Sequence, residues 1–309
     1  MSRVADCSRV RYLVVIPTKN EVRAIGCVID EILSIGVSRE DLVVVDGGST
    51  DGTREVVLSK GVRLVDQVGE GKVGAVMTVA QLVEGYDYAV FLDGDYTYPA
   101  THIPELVRAA CEGGYDLVIG ARRYAEPGSQ SALYRLGNRL LTATFNALLG
   151  TNLYDILSGM YVVRGDVLRE LSYESRGFGV EVEVVAHVAS SGYRIYELPI
   201  RYRRRLDPGS KKLKVFHGAQ IAVEILRMAW RYNPVFTILF AGALLLVPGL
   251  ALGMYVAYHY FFTGVKYYVK GIVAIVLTLA GFQSLLLSIL SLYLKRVELR
   301  LLRLLKARV

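Results

Sequence analysis

Two stretches of this chain, residues 234–262 and 271–294, carry almost no charge and consist mainly of Leu, Val, Ala, Ile, Phe and Tyr. Each exceeds the ~20 residues that a helix needs to cross a hydrocarbon core. A segment in lipid must satisfy its own backbone, which favours helices for runs of this length. The link at 263–270 is short and holds only Lys266 and Lys270 as charges, so the pair predicts a transmembrane hairpin. In a chain of 309 residues this leaves room for one soluble α/β domain of about 200 residues ahead of it.

Charge outside the hairpin is strongly positive. Arg227 and Arg231 precede it, and Lys295, Arg296, Arg300, Arg303, Lys306 and Arg308 follow it. By the positive-inside rule both flanks, both termini and the large N-terminal domain are expected in the cytosol, making this a multi-pass protein of the cell membrane. Residues 1–11 contain no apolar core of a secretory signal, which fits that orientation. The formal net charge is +7. Much of it belongs to the C-terminal tail and to residues 201–214, where anionic head groups are a simpler partner than nucleic acid. Cys7, Cys27 and Cys111 are odd in number, scattered and without a CxxC pair, so neither a disulfide framework nor a zinc site is expected.

Ahead of the hairpin, apolar strand-like runs at 12–17, 42–46, 62–66, 88–93 and 116–121 alternate with helix-like segments at 21–35, 51–59, 72–83 and 99–111. This alternation predicts βαβ units and a mainly parallel sheet. Helices are then expected at 132–149 and 181–191, with strands at 160–163 and 194–202. Residues 212–233 place Lys214, His217, Glu224, Arg227 and Arg231 at helical steps among apolar side chains, the pattern of an amphipathic helix. Such a helix suits the membrane interface or the surface of the soluble domain equally well. The domain reading is therefore 1–211 an α/β domain, 212–233 juxtamembrane, 234–294 transmembrane and 295–309 a basic cytosolic tail.

The triplet Asp93-Gly94-Asp95 follows the apolar run 88–92, which puts two carboxylates at the carboxyl edge of the sheet, where ligands of open α/β folds bind. Neighbouring carboxylates can share a hard cation such as Mg²⁺ or Mn²⁺ that in turn grips phosphate oxygens. Two further polar turns end at the same edge: Pro17-Thr18-Lys19-Asn20-Glu21 and Asp46-Gly47-Gly48-Ser49-Thr50-Asp51. Alone, each turn is ordinary cap and turn chemistry, and the acid pair is a solvated loop. In this order they are specific.

With these turns the chain resembles a family 2 glycosyltransferase of the GT-A fold, in the branch of dolichyl-phosphate mannose and polyprenyl-phosphate glucose synthases. The likeness spans residues 12–212, and the hairpin suits the carrier-lipid branch. Val118-Ile119-Gly120-Ala121-Arg122, Gly137-Asn138-Arg139, Asp155 with Ser158-Gly159-Met160, Glu181 to Glu183, Glu197-Leu198-Pro199 and Gly209-Ser210-Lys211-Lys212-Leu213 resemble further motifs of that family. The resemblance implies a Rossmann-like α/β domain and transfer of a hexose, with inversion, from a nucleotide sugar to dolichyl or polyprenyl phosphate. Mannose from GDP-mannose is the first choice of donor, and UDP-glucose or UDP-N-acetylglucosamine the rival.

Carried over residue by residue, Pro17, Thr18, Asn20, Glu21, Asp46, Asp93 and Lys211 hold the nucleotide sugar. Asp93, Asp95 and Arg122 act in catalysis, and Asp93, Asp95 and Thr97 hold Mg²⁺ or Mn²⁺. A lipid phosphate acceptor is already anionic, so it needs positive charge rather than a strong base, and Arg135, Arg139, Arg203 and Lys211 are the candidates. Two positions depart from the pattern. Gly47 replaces the usual second acid, and Thr97 replaces a glutamine that often follows the acid pair. A processive polysaccharide synthase is disfavoured because the only tryptophan, Trp230, stands outside a Gln-x-x-Arg-Trp motif. A non-catalytic membrane scaffold is disfavoured by the intact acids, and a homo-oligomer is compatible with the sequence.

Overall fold

Seven strands form one sheet in the spatial order β3-β2-β1-β4-β6-β5-β7. In chain order they are β1 (Tyr12–Thr18), β2 (Leu42–Asp46), β3 (Arg63–Asp66), β4 (Tyr88–Phe91), β5 (Leu117–Ala125), β6 (Tyr161–Arg164) and β7 (Ile195–Tyr202). The structure is a computed structural model that describes residues 7–171, 179–207, 222–223, 227 and 234–306. The chain divides into two units, Met1–Ile225 and Leu226–Val309.

In the first unit β2 and β4 are buried along their whole length, as continuous apolar runs in a parallel sheet require, because helices cover both faces. Those helices are α1 (Ile25–Ser34), α2 (Thr53–Ser59), α3 (Gly71–Leu82), α4 (Ile103–Gly113), α5 (Ala132–Leu149), α6 (Gly165–Glu170) and α7 (Val180–Ser190). The core gathers Val14, Ile16, Val44 and Val90 from the strands with Ile25, Ile29, Ile103 and Leu106 from the helices. The strand β6 runs antiparallel to both neighbours, pairing Phe91 with Tyr161 and Ile119 with Tyr161. The mainly parallel sheet is thus borne out, with one reversed strand in its centre.

Register decides what meets at the carboxyl edge. Thr18 pairs with Asp46 and Asp46 with Asp66, while Val15 pairs with Phe91, two residues short of Asp93. The three polar turns therefore open on one side of the sheet. Helix α1 begins at Ile25 rather than 21 because Asn20 takes a left-handed conformation (φ 52°) and the following backbone is held by side chains of the second turn. Asn tolerates that conformation better than most residues.

One sequence expectation fails. Cys7 and Cys111 form a disulfide, with Cα atoms 5.9 Å apart and 104 residues between them in sequence. The bridge ties the N-terminal turn to α4, a proximity set by the fold and invisible in cysteine spacing. Cys27 is free and exposed.

The second unit contains α8 (Pro234–Tyr258), a π-helical turn at His259–Thr263, and α9 (Tyr268–Lys306). Residues 238–263 and 268–294 are long and apolar enough to cross a membrane. The two helices pack through Gly242, Gly249 and Gly281. A Cβ on Gly281 would lie 2.6 Å from the Leu246 backbone, and one on Gly249 would lie 2.7 Å from that of Thr278. Small residues allow this close backbone approach, and the Ser284 hydroxyl donates to the Ile238 carbonyl across it (2.8 Å). Leu244, Met254, Phe261 and Ile272 point outward and are more than 60% exposed, an apolar surface suited to lipid rather than water. The expected tail at 295–309 continues α9 as helix to Lys306. The expected juxtamembrane helix at 212–233 and the Gly209–Leu213 motif with Lys211 fall outside the described residues, apart from isolated positions.

Candidate active site

The Asp46 side of the cleft is built by short-range hydrogen bonds. Asp46 ends β2 and is 1% exposed. Its carboxylate accepts from the backbone N–H groups of Gly48 and Ser49, the Ser49 hydroxyl and Arg54 Nη1 (2.8 Å). Burial opposes its charge, but these donors prevail and keep its carboxyl below the usual range. Asn20 Oδ1 accepts from the Thr50 N–H, and the Asn20 N–H donates to Ser49 Oγ. Beside this turn lies an open cavity of about 650 Å³, lined by Lys19, Asp46, Gly47, Gly48, Asp66, Gln67 and the glycine-rich turn before α3. At Gly47 a Cβ would sit 3.1 Å from Gln67 Oε1, so the missing second acid leaves that space to Gln67.

The second side centres on the acid pair. Asp95 is buried, and its Oδ1 accepts from both the N–H (3.0 Å) and the hydroxyl (2.6 Å) of Thr97. Thr97 thereby orients the carboxylate; its hydroxyl hydrogen is already engaged. Between them Tyr96 is held at φ 69°, a strained state for an aromatic residue, with Arg203 4.6 Å above its ring. Asp95 Oδ2 lies 3.4 Å from Arg205, which also pairs with Glu21. Asp93 meets the ammonium of Lys72 at 2.6 Å, and the same ammonium meets Glu181 at 2.6 Å. Burial pushes the Asp93 carboxyl up, yet Lys72, with Arg205 and Arg122 behind it, outweighs burial and holds it low. In Asp95 burial wins, reinforced by the charge of Asp93, and the carboxyl is raised. Gly159 closes the floor: a Cβ there would overlap the Asp93 carboxylate. Its N–H donates to the buried Tyr98 hydroxyl (2.8 Å).

A third cluster joins motifs that are far apart in sequence. Arg122, from β5, grips Asp155 with Nε and Nη2, both at 2.7 Å, while Asn138 on α5 donates to the same carboxylate (3.0 Å). Glu197 on β7 accepts from the backbone N–H groups of Tyr154 and Asp155, fixing that turn. Arg122 is thus a rigid, paired cation. Burial works against the Asp155 charge, but Arg122 overrides it and keeps the carboxyl low.

The sequence-predicted residues therefore divide. Pro17, Thr18, Asn20, Glu21, Asp46, Asp93, Asp95 and Thr97 come together at the carboxyl edge of the sheet, and Thr18 Oγ1 is buried with no hydrogen-bond partner among the described residues. Arg203 instead forms a bidentate pair with Glu31 of α1 at 2.7 and 2.8 Å. Arg135 and Arg139 stand exposed on α5. Sequence reasoning missed Lys72 and Tyr98 and did not place Arg205 against Asp95. The glycine-rich run Gly69-Glu70-Gly71 before Lys72 is the one signal that marks the first of these.

Among the described residues no group of three or more His, Cys, Asp or Glu forms a ready-made metal cage. Asp93 and Asp95 supply hard oxygen donors, the chemistry Mg²⁺ and Mn²⁺ favour, and a cation completed by substrate phosphates and water needs few protein ligands. Thr18 Oγ1 and Arg205 Nε are buried without a hydrogen-bond partner among the described residues.

The comparisons with known proteins agree with this geometry. The chain is 34% identical to glycosyltransferase AglJ of Haloferax volcanii over 89% of its own length and 90% of that protein. It is 33% identical to a dolichyl-phosphate hexose transferase of the same organism, covering 70% of this chain and 92% of the relative. An undecaprenyl-phosphate mannosyltransferase of Micrococcus luteus is 30% identical, with 70% and 93% covered. Glucosyl-3-phosphoglycerate synthase from Mycobacterium tuberculosis, crystallised with Mn²⁺, UDP and phosphoglyceric acid, superposes with a TM-score of 0.59 at 24% identity, covering 73% of this chain and 79% of that one. This likeness shows the shared GT-A fold. Residues 13–172 match the model of glycosyl transferase family 2, and the chain belongs to that family of enzymes.

Proposed function

We propose that this enzyme transfers a hexose, with mannose from GDP-mannose as first choice, to a dolichyl or polyprenyl phosphate at the cytosolic face of a membrane. The observation that carries the reading is the meeting of Asp93 and Asp95 with Lys72, Arg205 and the nucleotide cavity at one sheet edge. The names of the similar proteins from Haloferax and Micrococcus support a polyprenyl-phosphate acceptor, and the second of them supports mannose. The apolar helices α8 and α9 suit an acceptor that lives in lipid.

Asp93 and Asp95 would hold Mg²⁺ or Mn²⁺, which when bound neutralises the charge developing on the departing nucleoside diphosphate. The Asp46 turn and the glycines beside it take the base and ribose. Arg122, immobilised by Asp155 and Asn138, is a fixed positive charge facing the donor that need not reorganise during reaction. Arg135 and Arg139, exposed on α5, are suited to the incoming phosphate, and Lys211 belongs to the same proposed set. A phosphate monoester is charged near neutral pH, so its oxygen attacks the anomeric carbon directly and inverts it, with no strong general base.

The experiment is a panel of radiolabelled donors, GDP-mannose, UDP-glucose and UDP-N-acetylglucosamine, offered to the full-length enzyme with polyprenyl phosphate in vesicles. Label entering lipid from GDP-mannose supports the first choice. Label entering only from a UDP-sugar replaces the donor and keeps the acceptor, and no lipid product from any donor overturns the reading.

A further inference from the structure

Lys72 belongs to none of the motifs that identify the family above, yet among the described residues it is the cation in closest contact with the acid pair. It is the second residue of α3, directly after Gly69, Glu70 and Gly71, which line the nucleotide cavity. Its ammonium reaches Asp93 Oδ1 and Glu181 Oε1 at 2.6 Å each. Four carboxylates meet here, those of Glu21, Asp93, Asp95 and Glu181, each with a side chain 25% exposed or less. Among the described residues Lys72 and Arg205 pair with these carboxylates, and Arg122 is already matched by Asp155.

We infer that Lys72, with Glu181 as its counter-ion, is a positioning residue that balances the site at Asp93 between a divalent cation and a diphosphate. This rests on the metal-assisted reading proposed above. An ammonium at contact distance from Asp93 repels a metal ion and attracts a diphosphate, so its loss has opposite effects on the two ligands. A role limited to packing or folding would weaken both together.

The test measures Mn²⁺ binding by electron paramagnetic resonance, and GDP and UDP binding without metal by calorimetry, on the full-length chain in detergent. In Lys72→Met, Mn²⁺ should bind about tenfold tighter and the nucleotide diphosphate about tenfold weaker, the change expected for roughly 1.4 kcal/mol of charge interaction. Lys72→Arg should restore both towards wild type. Glu181→Gln unloads the ammonium and should reverse the signs, with weaker Mn²⁺ and tighter nucleotide. If Lys72→Met does not fold, the Glu181→Gln pair of shifts decides alone. Shifts in the same direction, or none, overturn the role of Lys72. A wild-type enzyme that binds no Mn²⁺ with or without nucleotide overturns instead the metal-assisted reading on which it rests.

Discussion

The two acidic ends of the cleft are built in opposite ways. Asp46 is held by neighbours two, three and eight residues along the chain, Gly48, Ser49 and Arg54, in a turn that organises itself. Asp93 and Asp95 receive their cations from afar, Lys72 on α3 and Arg205 beyond β7. A local network stays formed whenever the turn is formed. An assembled network exists only when the whole domain is folded, and its ion pairs are the ones a metal and a diphosphate can exchange with. The difference suits the proposed division of labour: a rigid grip on the nucleoside, and an exchangeable charge balance around the reacting diphosphate.

The contrast can be broken first at the assembled end. Asp95→Ala should lower turnover by on the order of 10³-fold, the scale seen when one preorganised electrostatic group is lost. Thermal unfolding should change little, and an unchanged rate would favour the scaffold alternative. Next comes the Arg122–Asp155 pair, where Asp155→Asn leaves a buried guanidinium without its counter-charge and should cost about 3 kcal/mol in denaturant unfolding at neutral pH. Because the Asp155 carboxyl is held low in the folded state, its stabilisation is complete above the ordinary carboxylate range and is lost as pH falls through the lowered value. The gap between wild type and Asp155→Asn should therefore narrow in acid; a gap independent of pH would mean the ion pair is not its source.

Gly159→Ala tests the same end more gently. The new methyl must displace the Asp93 carboxylate, and donor-dependent turnover should fall about tenfold while the fold is kept, an effect sized like that of disturbing a ligand's support. At the local end, Arg54→Ala removes only one partly exposed donor from an otherwise satisfied Asp46. The KM for donor should rise about twofold with kcat unchanged. A loss at Arg54 as large as that at Asp95 would erase the distinction between the two ends.

The same distinction explains what could be read from sequence. Helix α5 is expected at 132–149 and is found there, because its apolar spacing, its Ser131 cap and the Gly150 stop are all local signals. The turns at Asn20 and Asp46 are likewise visible as residue types that bond to their own surroundings. Direction is not local. Nothing in residues 161–164 announces that β6 runs antiparallel between β4 and β5. The strand expected at 116–121 extends to Ala125 only because β7 continues to pair with it beyond an irregularity between Ala121 and Tyr124. Asp155, Asn138, Arg122 and Glu197 each stand out singly, while their joining into one network depends on strand order. The pairing of Cys7 with Cys111 and the bridge from Lys72 to Asp93 and Glu181 are hidden for the same reason.

The most direct test of the central claim, that Asp93 and Asp95 hold a cation which takes the donor diphosphate, is sugar transfer after chelation followed by stepwise return of Mn²⁺, in wild type and in Asp95→Asn. Wild type should lose turnover with the chelator and regain it with Mn²⁺, whereas Asp95→Asn should stay inactive at the same concentrations. Full turnover of the chelated wild-type enzyme would contradict the account.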